Sequence, residues 1–493
     1  MTPFDDVLSR LRAAPDAFGV AFVAADGPLE ARWRQATDEL ATCIRPVGDP
    51  ASDPILIEGG AYDGAWIEST GTINAEVLGR FAPDVTRATH LRFAAEQRTD
   101  GLIPYKVIDS GPAFSQIQIV TPLARGVWNH YLQTGRTDRA YLETMYAAMS
   151  RMDGWLARYR DTRGTGGVEA FCAFDTGHDA SARFWFAPDR CLHDEASLPH
   201  PDAPLLPYVA PDLTANVACQ RAHLALIAQE LGHDGAPWRA RAEASLAALW
   251  EQCWDADDEM FYDRDRNGAL VRVPSDVLLR VLACEVGDDA FFARMLERHL
   301  FHTRRFLSPH GFTSLAMDDP RFDRDFTRNS WGGPVNFLAQ LRAPAAFEHH
   351  GRAGELALAS QGVLTALAIA DRFPQTLDPW SGEAGFTQAY SPSLLWLLDA
   401  VERWFGVLPL PDGTVHVTAL APTRLGHGAA ASAVGYRRVV GGAVWELAAD
   451  DHGAALSIDG ERTLELTHGE RATLSSAGEV LARATLASIA PRF

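Results

Sequence analysis

The chain has no run of lysines or arginines. With a formal net charge of -20 and a pI near 5.2, it lacks the basic face of a nucleic-acid binder. That acidity serves solubility and disfavours anionic polymers as substrates. Cysteine is scarce. The six residues (Cys43, Cys172, Cys191, Cys219, Cys253 and Cys284) are scattered and form no Cys-x-x-Cys pair, so buried free thiols are expected rather than a disulfide framework or a zinc site. There is no His-x-x-x-His spacing, no Gly-x-Gly-x-x-Gly or Gly-Lys-Ser/Thr loop and no Gly-x-Ser-x-Gly elbow. Neither a metal nor a cofactor is expected, and a serine hydrolase is unsupported. The pair His349-His350 reads as cations at a helix end. No stretch of about 20 apolar residues is long enough to span a membrane. The amino terminus has no basic segment followed by an apolar one, so no secretory signal is read and a cytoplasmic protein is expected.

What is present is an ordinary globular balance, 47% hydrophobic and 22% charged over 493 residues, enough for a large core. Amphipathic windows with apolar residues spaced by three and four predict helices. Examples are TDRAYLETMYAAMSRMDGWLARYRD, LTANVACQRAHLALIAQELG, WRARAEASLAALWEQCW, DDAFFARMLERHL, VNFLAQLRAPAAFEHHG, GELALASQGVLTALAIADRF and SPSLLWLLDAVERWF. Between them run long loops rich in Gly, Pro, Asp and aromatics, the kind that build sites. After Leu408-Pro-Leu-Pro the period changes from 3.6 to 2. TVHVTAL, GYRRVVGGAVWELAAD, AALSIDGERTLELTH and RATLSSAGEVLARATL read as antiparallel strands. The expected organisation is a leading extension over 1–30 with a helix and a short strand, a helical catalytic domain over 31–408, and a β-sandwich over 409–493. The role of that last part is open between stability, a homo-oligomer contact and a rim contact.

One loop carries the strongest chemical signal: Ala173-Phe-Asp-Thr-Gly-His-Asp-Ala-Ser-Ala-Arg-Phe184. Asp175 and Asp179 stand four apart across a glycine, beside His178 and Arg183 and between Phe174 and Phe184. A carboxylic acid that protonates a glycosidic oxygen needs a raised pKa, and apolar walls with a second carboxylate supply one. Arg183 opposes that shift, so it suits orienting a carboxylate or a sugar hydroxyl. The spacing by itself fits an Asp/Gly loop held by local hydrogen bonds equally well.

The loop resembles the signature of the glycoside hydrolase clan that includes family 37 trehalases and the α-glucosidases and mannosylglycerate hydrolases of family 63. Its pattern is Glu/Asp-Ser-Gly-x-Asp-x-Ser-x-Arg-Phe. The resemblance implies an (α/α)6 barrel, with Asp179 as proton donor and Asp175 as a sugar-contacting acid. Thr176 replaces Ser, and His178 stands where Trp or Met is common. Other stretches agree in the same order. Trp66-Ile-Glu-Ser-Thr70 resembles a Trp-x-Asp-Ser pocket loop, with Glu68 for Asp. Arg98-Thr-Asp-Gly-Leu-Ile-Pro104 with Ser115-Gln-Ile-Gln118 resembles an Asp-Gly-x-x-Pro … Ser-Gln loop. Asn329-Ser-Trp-Gly-Gly-Pro334, following Asp318-Asp-Pro-Arg-Phe322, resembles a Tyr-Trp-Arg-Gly-Pro loop, with Gly332 for Arg and Gly333 kept. Trp254-Asp-Ala-Asp-Asp-Glu-Met-Phe-Tyr-Asp263 resembles a helix-end loop of these barrels.

The partner base is expected before the last barrel helix. Asp378-Pro-Trp-Ser-Gly-Glu-Ala-Gly-Phe-Thr-Gln-Ala-Tyr-Ser391 resembles the family's Asn-Pro-x-x-Gly-Glu-Gly run, which implies Glu383 as base, with Asp378 the alternative. Some relatives carry the base in a Glu-x-Tyr-x-Pro element; here that stretch reads Pro374-Gln-Thr-Leu-Asp-Pro379 and lacks the Glu. Tyr62, Trp66, Trp331, Trp380, Phe386 and Tyr390 are candidate stacking platforms, or core aromatics. Gln116, Gln118 and Gln388 could fork hydrogen bonds to vicinal hydroxyls, or pack their loops.

The expected reaction is inverting, exo-acting hydrolysis of a short α-linked glucoside or mannoside, with a small carbohydrate as the partner. The two carboxyls would then stand roughly 6.5–9.5 Å apart with water between them. A sugar epimerase on the same barrel and a non-catalytic carbohydrate-binding protein are the competing classes.

Overall fold

In a computed structural model, residues 3–420 and 431–493 are described. Among them are thirteen α-helices: α1 (Pro3–Ala13), α2 (Leu29–Thr42), α3 (Asn74–Leu78), α4 (Pro83–Ala95), α5 (Leu123–Gln133), α6 (Arg139–Tyr159), α7 (Pro211–Glu230), α8 (Ala236–Cys253), α9 (Val277–Leu282), α10 (Asp289–Met295), α11 (Phe337–His349), α12 (Ala353–Ile369) and α13 (Ser391–Phe405). All seven amphipathic windows fall on helices α6, α7, α8, α10, α11, α12 and α13.

Six helices close a ring. Helices α3, α5, α7, α9, α11 and α13 touch in succession, and α13 returns to α3. Others lie outside it: α4 on α3, α6 against α5 and α7, α8 along α7, α12 against α11 and α13, and α2 on α13 and α12. Helix α13 shows why the inner layer reads as it does. Every residue from Ser391 to Phe405 is buried, because other helices and the C-terminal sheets cover it on all sides. Its charges are paired in place. Arg403 donates to Asp399 at 2.9 and 2.7 Å, Arg80 donates to Glu402 at 2.6 Å, and the Tyr436 hydroxyl donates to Glu402 at 3.0 Å. Unpaired, such charges could not stay buried.

The period-2 segments form two antiparallel sheets. One orders the strands Val20–Ala25, Ala433–Val440, Ala443–Asp450, Gly453–Ile458 and Glu461–Thr467. The other orders Val407–Pro409, Thr414–Thr418, Glu470–Ser475 and Val480–Thr485. Of the segment 1–30, read from sequence as an extension, residues 3–25 fold into this region: Val20–Ala25 is an edge strand paired with Ala433–Val440, and α1 packs on that pair. Arg438 reaches Glu402, and Arg471 donates to Glu348 at 3.0 Å, so the sheets are ion-paired to the helical ring. All six cysteines are buried free thiols. No helix among the described residues is long and apolar enough to cross a membrane.

Candidate active site

The loops that precede the ring helices converge at one mouth of the ring. Residues 58–68 lead into α3, 105–118 into α5, 174–190 toward α7, 329–331 into α11, and 375 toward α13. Together they enclose a cavity of about 500 Å³. Helix N-termini carry partial positive charge, so this mouth suits oxygen-rich ligands. Aromatic and amide groups (Tyr62, Trp66, Trp331, Gln116 and Gln118) and carboxyls (Glu58, Glu68 and Asp179) share the wall.

Asp179 is presented by a short 3₁₀ turn, Ala173–Thr176, that ends at Gly177. Gly177 is left-handed (φ 66°), and a Cβ there would lie 1.9 Å from Glu68 Oε2. Only glycine permits both the turn and the approach. The loop 329–331 grips the acid at both ends. The Trp331 amide donates to the Asp179 carbonyl at 2.9 Å, and Asn329 Nδ2 donates to Asp179 Oδ2 at 2.5 Å. Burial pushes the Asp179 carboxyl up to about 7, the nearby Glu68 carboxylate adds to the rise, and the Asn329 bond opposes it. A carboxyl raised this far keeps its proton up to near neutral pH, which is what a proton donor requires.

Glu68 is held through both carboxyl oxygens. Arg342 donates to its Oε1 at 3.0 Å, and Gln118 donates to its Oε2 at 2.8 Å. Gln118 itself sits at φ 44°, a strained conformation for a side-chain-bearing residue at a binding wall. A chain of neutral donors ends on the acid: Tyr62 Oη to Gln375 Oε1 (2.8 Å), Gln375 Nε2 to Asn329 Oδ1 (3.0 Å), then Asn329 to Asp179.

Several expected contacts lie elsewhere. Asp175 is wholly buried and does not face the cavity. It accepts from the amides of Ile117 (2.9 Å) and Phe171 (2.7 Å) and pairs in bidentate fashion with Arg160 (2.5 and 3.0 Å), which pins the acid loop to the end of α6. His178 and Arg183 are also buried behind the wall. Arg183 clamps Asp212 (2.9 and 3.1 Å) and Asp263 (2.8 and 2.7 Å), so it orients carboxylates rather than sugar. Burial and the cation of Arg280 hold His178 down at about 3. A neutral ring fits its contacts: Nδ1 accepts from Arg183 at 2.6 Å, and Nε2 faces Asp276 at 2.9 Å. Gly333 packs against the Asp323 carbonyl, where a Cβ would come within 2.2 Å. Phe386 stands behind Tyr62, ring centroids 6.4 Å apart. Gln388 and Trp380 are exposed, outside the cavity wall.

The expected base is not brought to Asp179. Residues 378–383 close a turn on themselves: the Asp378 amide donates to the Glu383 carbonyl, and the Asp378 carboxylate accepts from the amides of Trp380 (2.9 Å) and Ser381 (2.8 Å). Asp378 is spent on the turn, and Glu383 faces solvent away from the cavity. The wall has instead Gln375, from the stretch that lacks the family's Glu.

Sequence reading missed Glu58, Tyr105, Lys106, Asp189, Arg190 and Gln375 as wall residues. Asn329 and Gln375 lay inside recognised stretches without being singled out. Glu58 belonged to no motif. Elsewhere, Cys172, Asp175 and Cys191 bring metal-type donors together, as do Cys219, His223 and Glu285. In the first group the Arg160 guanidinium already occupies Asp175.

Residues 62–393 match the model of the mannosylglycerate hydrolase MGH1-like glycoside hydrolase domain. None of the curated proteins matches the sequence. Among solved structures, the fold is similar to the GH63 mannosylglycerate hydrolase from Thermus thermophilus, with TM-score 0.62 and 16% identity over 74% of this chain and 98% of that one. It is also similar to the neutral trehalase Nth1 from Saccharomyces cerevisiae, with TM-score 0.54 and 15% identity over 70% of this chain and 73% of that one. A third likeness is the GH78 family rhamnosidase of Bacillus sp. GL1, with TM-score 0.58 and 12% identity over 88% of this chain and 40% of that one. The chain belongs to the mannosylglycerate hydrolase MGH1-like family and is a glycoside hydrolase.

Proposed function

We propose that this protein is an inverting, exo-acting hydrolase of a short α-linked glucoside or mannoside, with Asp179 as its general acid. The observation that carries the reading is a buried carboxyl, raised to about 7 by that burial, on the wall of a cavity of about 500 Å³ that also presents aromatic and amide groups. Trp66, Tyr62 and Trp331 offer ring faces to sugar C–H groups, and Gln116, Gln118 and Glu68 offer hydrogen bonds to hydroxyls. Lys106 lies 5.3 Å from the Trp66 ring, and with Arg190 it supplies positive charge on the wall. That charge suits a carboxylated aglycone such as the one in mannosylglycerate, the substrate named for the Thermus relative. The ring of six helices with its outer layer is taken as an (α/α)6 catalytic barrel over about residues 31–408. The paired sheets are taken as an accessory sandwich over 409–493 with the strand Val20–Ala25 added.

The test is a panel of α-glucosides, α-mannosides, disaccharides and mannosylglycerate, with the product anomer followed by NMR. The expected result is cleavage of one α-linked member with release of the β-anomer. Asp179→Asn should lower kcat by about three orders of magnitude on substrates with poor leaving groups while the protein stays folded. Retention of the α-anomer, or a fully active Asp179→Asn variant, would overturn this reading. Sugar binding without turnover on any member would favour a carbohydrate-binding role.

A further inference from the structure

Single-displacement hydrolysis needs a group that takes a proton from water, and neither Glu383 nor Asp378, the two positions expected to supply it, is on the cavity wall. Glu383 is exposed, Asp378 is spent on its turn, and at the place where some relatives carry the base this chain has Gln375, an amide with no proton-accepting carboxylate. Three carboxyls other than Asp179 remain on the wall, and one of them, Asp189, belongs to the acid's own segment, where its charge helps to raise Asp179. Glu68 is tied to the Arg342 and Arg280 guanidiniums and to Gln118, and it lies against Gly177 in the acid's own loop. Glu58 stands at the start of the same segment that carries Glu68 toward α3, outside the acid's own loop, and no guanidinium among the described residues ties it. Its partners are neutral hydroxyls: Tyr390 Oη donates to Oε1 at 2.7 Å, and Ser69 Oγ donates to Oε2 at 2.9 Å. Its main chain is anchored too, since the Ser391 amide at the start of α13 donates to the Glu58 carbonyl at 2.8 Å. The carboxyl is therefore buried, positioned by two wall segments and open to the cavity.

We propose that Glu58 is the general base of this enzyme, standing in for the carboxylate missing at position 375. This rests on the hydrolytic reading above. Glu58 takes one proton from a water molecule as the water oxygen bonds to the anomeric carbon. The glycosidic C–O bond breaks, and the leaving oxygen takes the proton of Asp179. Proton exchange with solvent then resets both carboxyls. Burial, with the charges of Glu68 and Asp179, pushes Glu58 up to about 7, against the pull of Tyr390 and Ser69. Tyr62 also faces this group and is itself raised by burial and by the same carboxyls. With acid and base both near 7, the pair should give a narrow bell-shaped pH profile centred close to neutrality.

The experiment uses α-D-glucosyl fluoride and α-D-mannosyl fluoride, whose leaving group needs no acid. The wild type should hydrolyse one of them. Asp179→Asn should keep a large share of that activity. Glu58→Gln, which preserves size and the Tyr390 contact, should lose at least a hundredfold in kcat with little change in KM, together with the acidic limb of the pH profile. In Glu58→Ala, added azide should restore turnover by forming the β-glycosyl azide, because azide needs no base. A role in folding alone would not produce that rescue. If the wild type is active and Glu58→Gln stays within tenfold of it, or if azide yields no β-azide from a folded Glu58→Ala, the assignment of Glu58 is overturned and the hydrolase reading stands. If the wild type hydrolyses neither fluoride and no member of the glycoside panel, the hydrolase reading itself is overturned, and the base falls with it.

Discussion

At the residue scale, the acid is defined by its surroundings more than by its identity. Asp179 and Asp175 are four residues apart in one loop, yet one lines the cavity with a raised pKa and the other is a buried structural anchor. Asp175 meets a guanidinium and two amides that hold it in place, whereas Asp179 meets an asparagine, a carboxylate and low-dielectric walls. A carboxyl raised in the folded state opposes folding as pH rises. Below about 4 it is protonated in both states and has no effect. Between about 4 and 7 the folded protein holds a proton that the unfolded chain has released, so stability falls with pH, and above about 7 the full penalty applies. Asp179→Asn should therefore unfold at a higher temperature than wild type at pH 8, and the two should melt together near pH 4. Thermal denaturation across that range checks this, and an unchanged difference at both ends would refute it. Gly177→Ala should lose activity and at least about 1–2 kcal/mol of stability, since it adds a Cβ at φ 66° against Glu68. Urea unfolding measures that loss.

At the scale of elements, the wall is made by loops held at the entry of ring helices, and its rigidity comes from ion pairs behind it. Arg160–Asp175 ties the acid loop to α6, and Arg183 ties it to Asp212 in α7 and to Asp263. Removing one partner of a buried pair leaves the other uncompensated, at roughly 3–5 kcal/mol. Asp175→Ala should lose stability in that range, and kcat should fall although Asp175 does not face the cavity. Hydrogen exchange should show the loss of protection concentrated in residues 171–184. A drop in activity with the loop fully protected would instead point to direct sugar contact. The turn 378–384 shows the reverse case. A carboxylate between glycines before the last helix looked catalytic in sequence, but a turn that closes through its own backbone directs the Glu383 side chain outward.

At the scale of the whole molecule, segments far apart in the chain meet. The strand Val20–Ala25 covers one edge of the sheet that begins at Ala433, and Glu402 in α13 holds Arg80 and Arg438 together. Deleting residues 1–28 should uncover the edge of Ala433–Val440 and promote association through it. Light scattering of the truncated protein should show concentration-dependent aggregation. A monodisperse, equally stable truncation would show that the strand is dispensable.

The helical periods, the switch to alternating strands near residue 408 and the Asp179 loop were all legible in the sequence, because each rests on neighbours within a few residues. Side-chain spacing alone sets a helix or strand face, and a glycine-containing turn sets the form of a short loop. Which carboxyls and which arginine line the cavity with Asp179, and where the first strand pairs, depended on residues tens to hundreds of positions apart. Glu58 is brought to the cavity by Ser69, Tyr390 and Ser391, and no local pattern around Glu58 records those contacts. Burial and charge neighbourhood, which decide whether a carboxyl donates, accepts or merely pairs, exist only once the ring has closed.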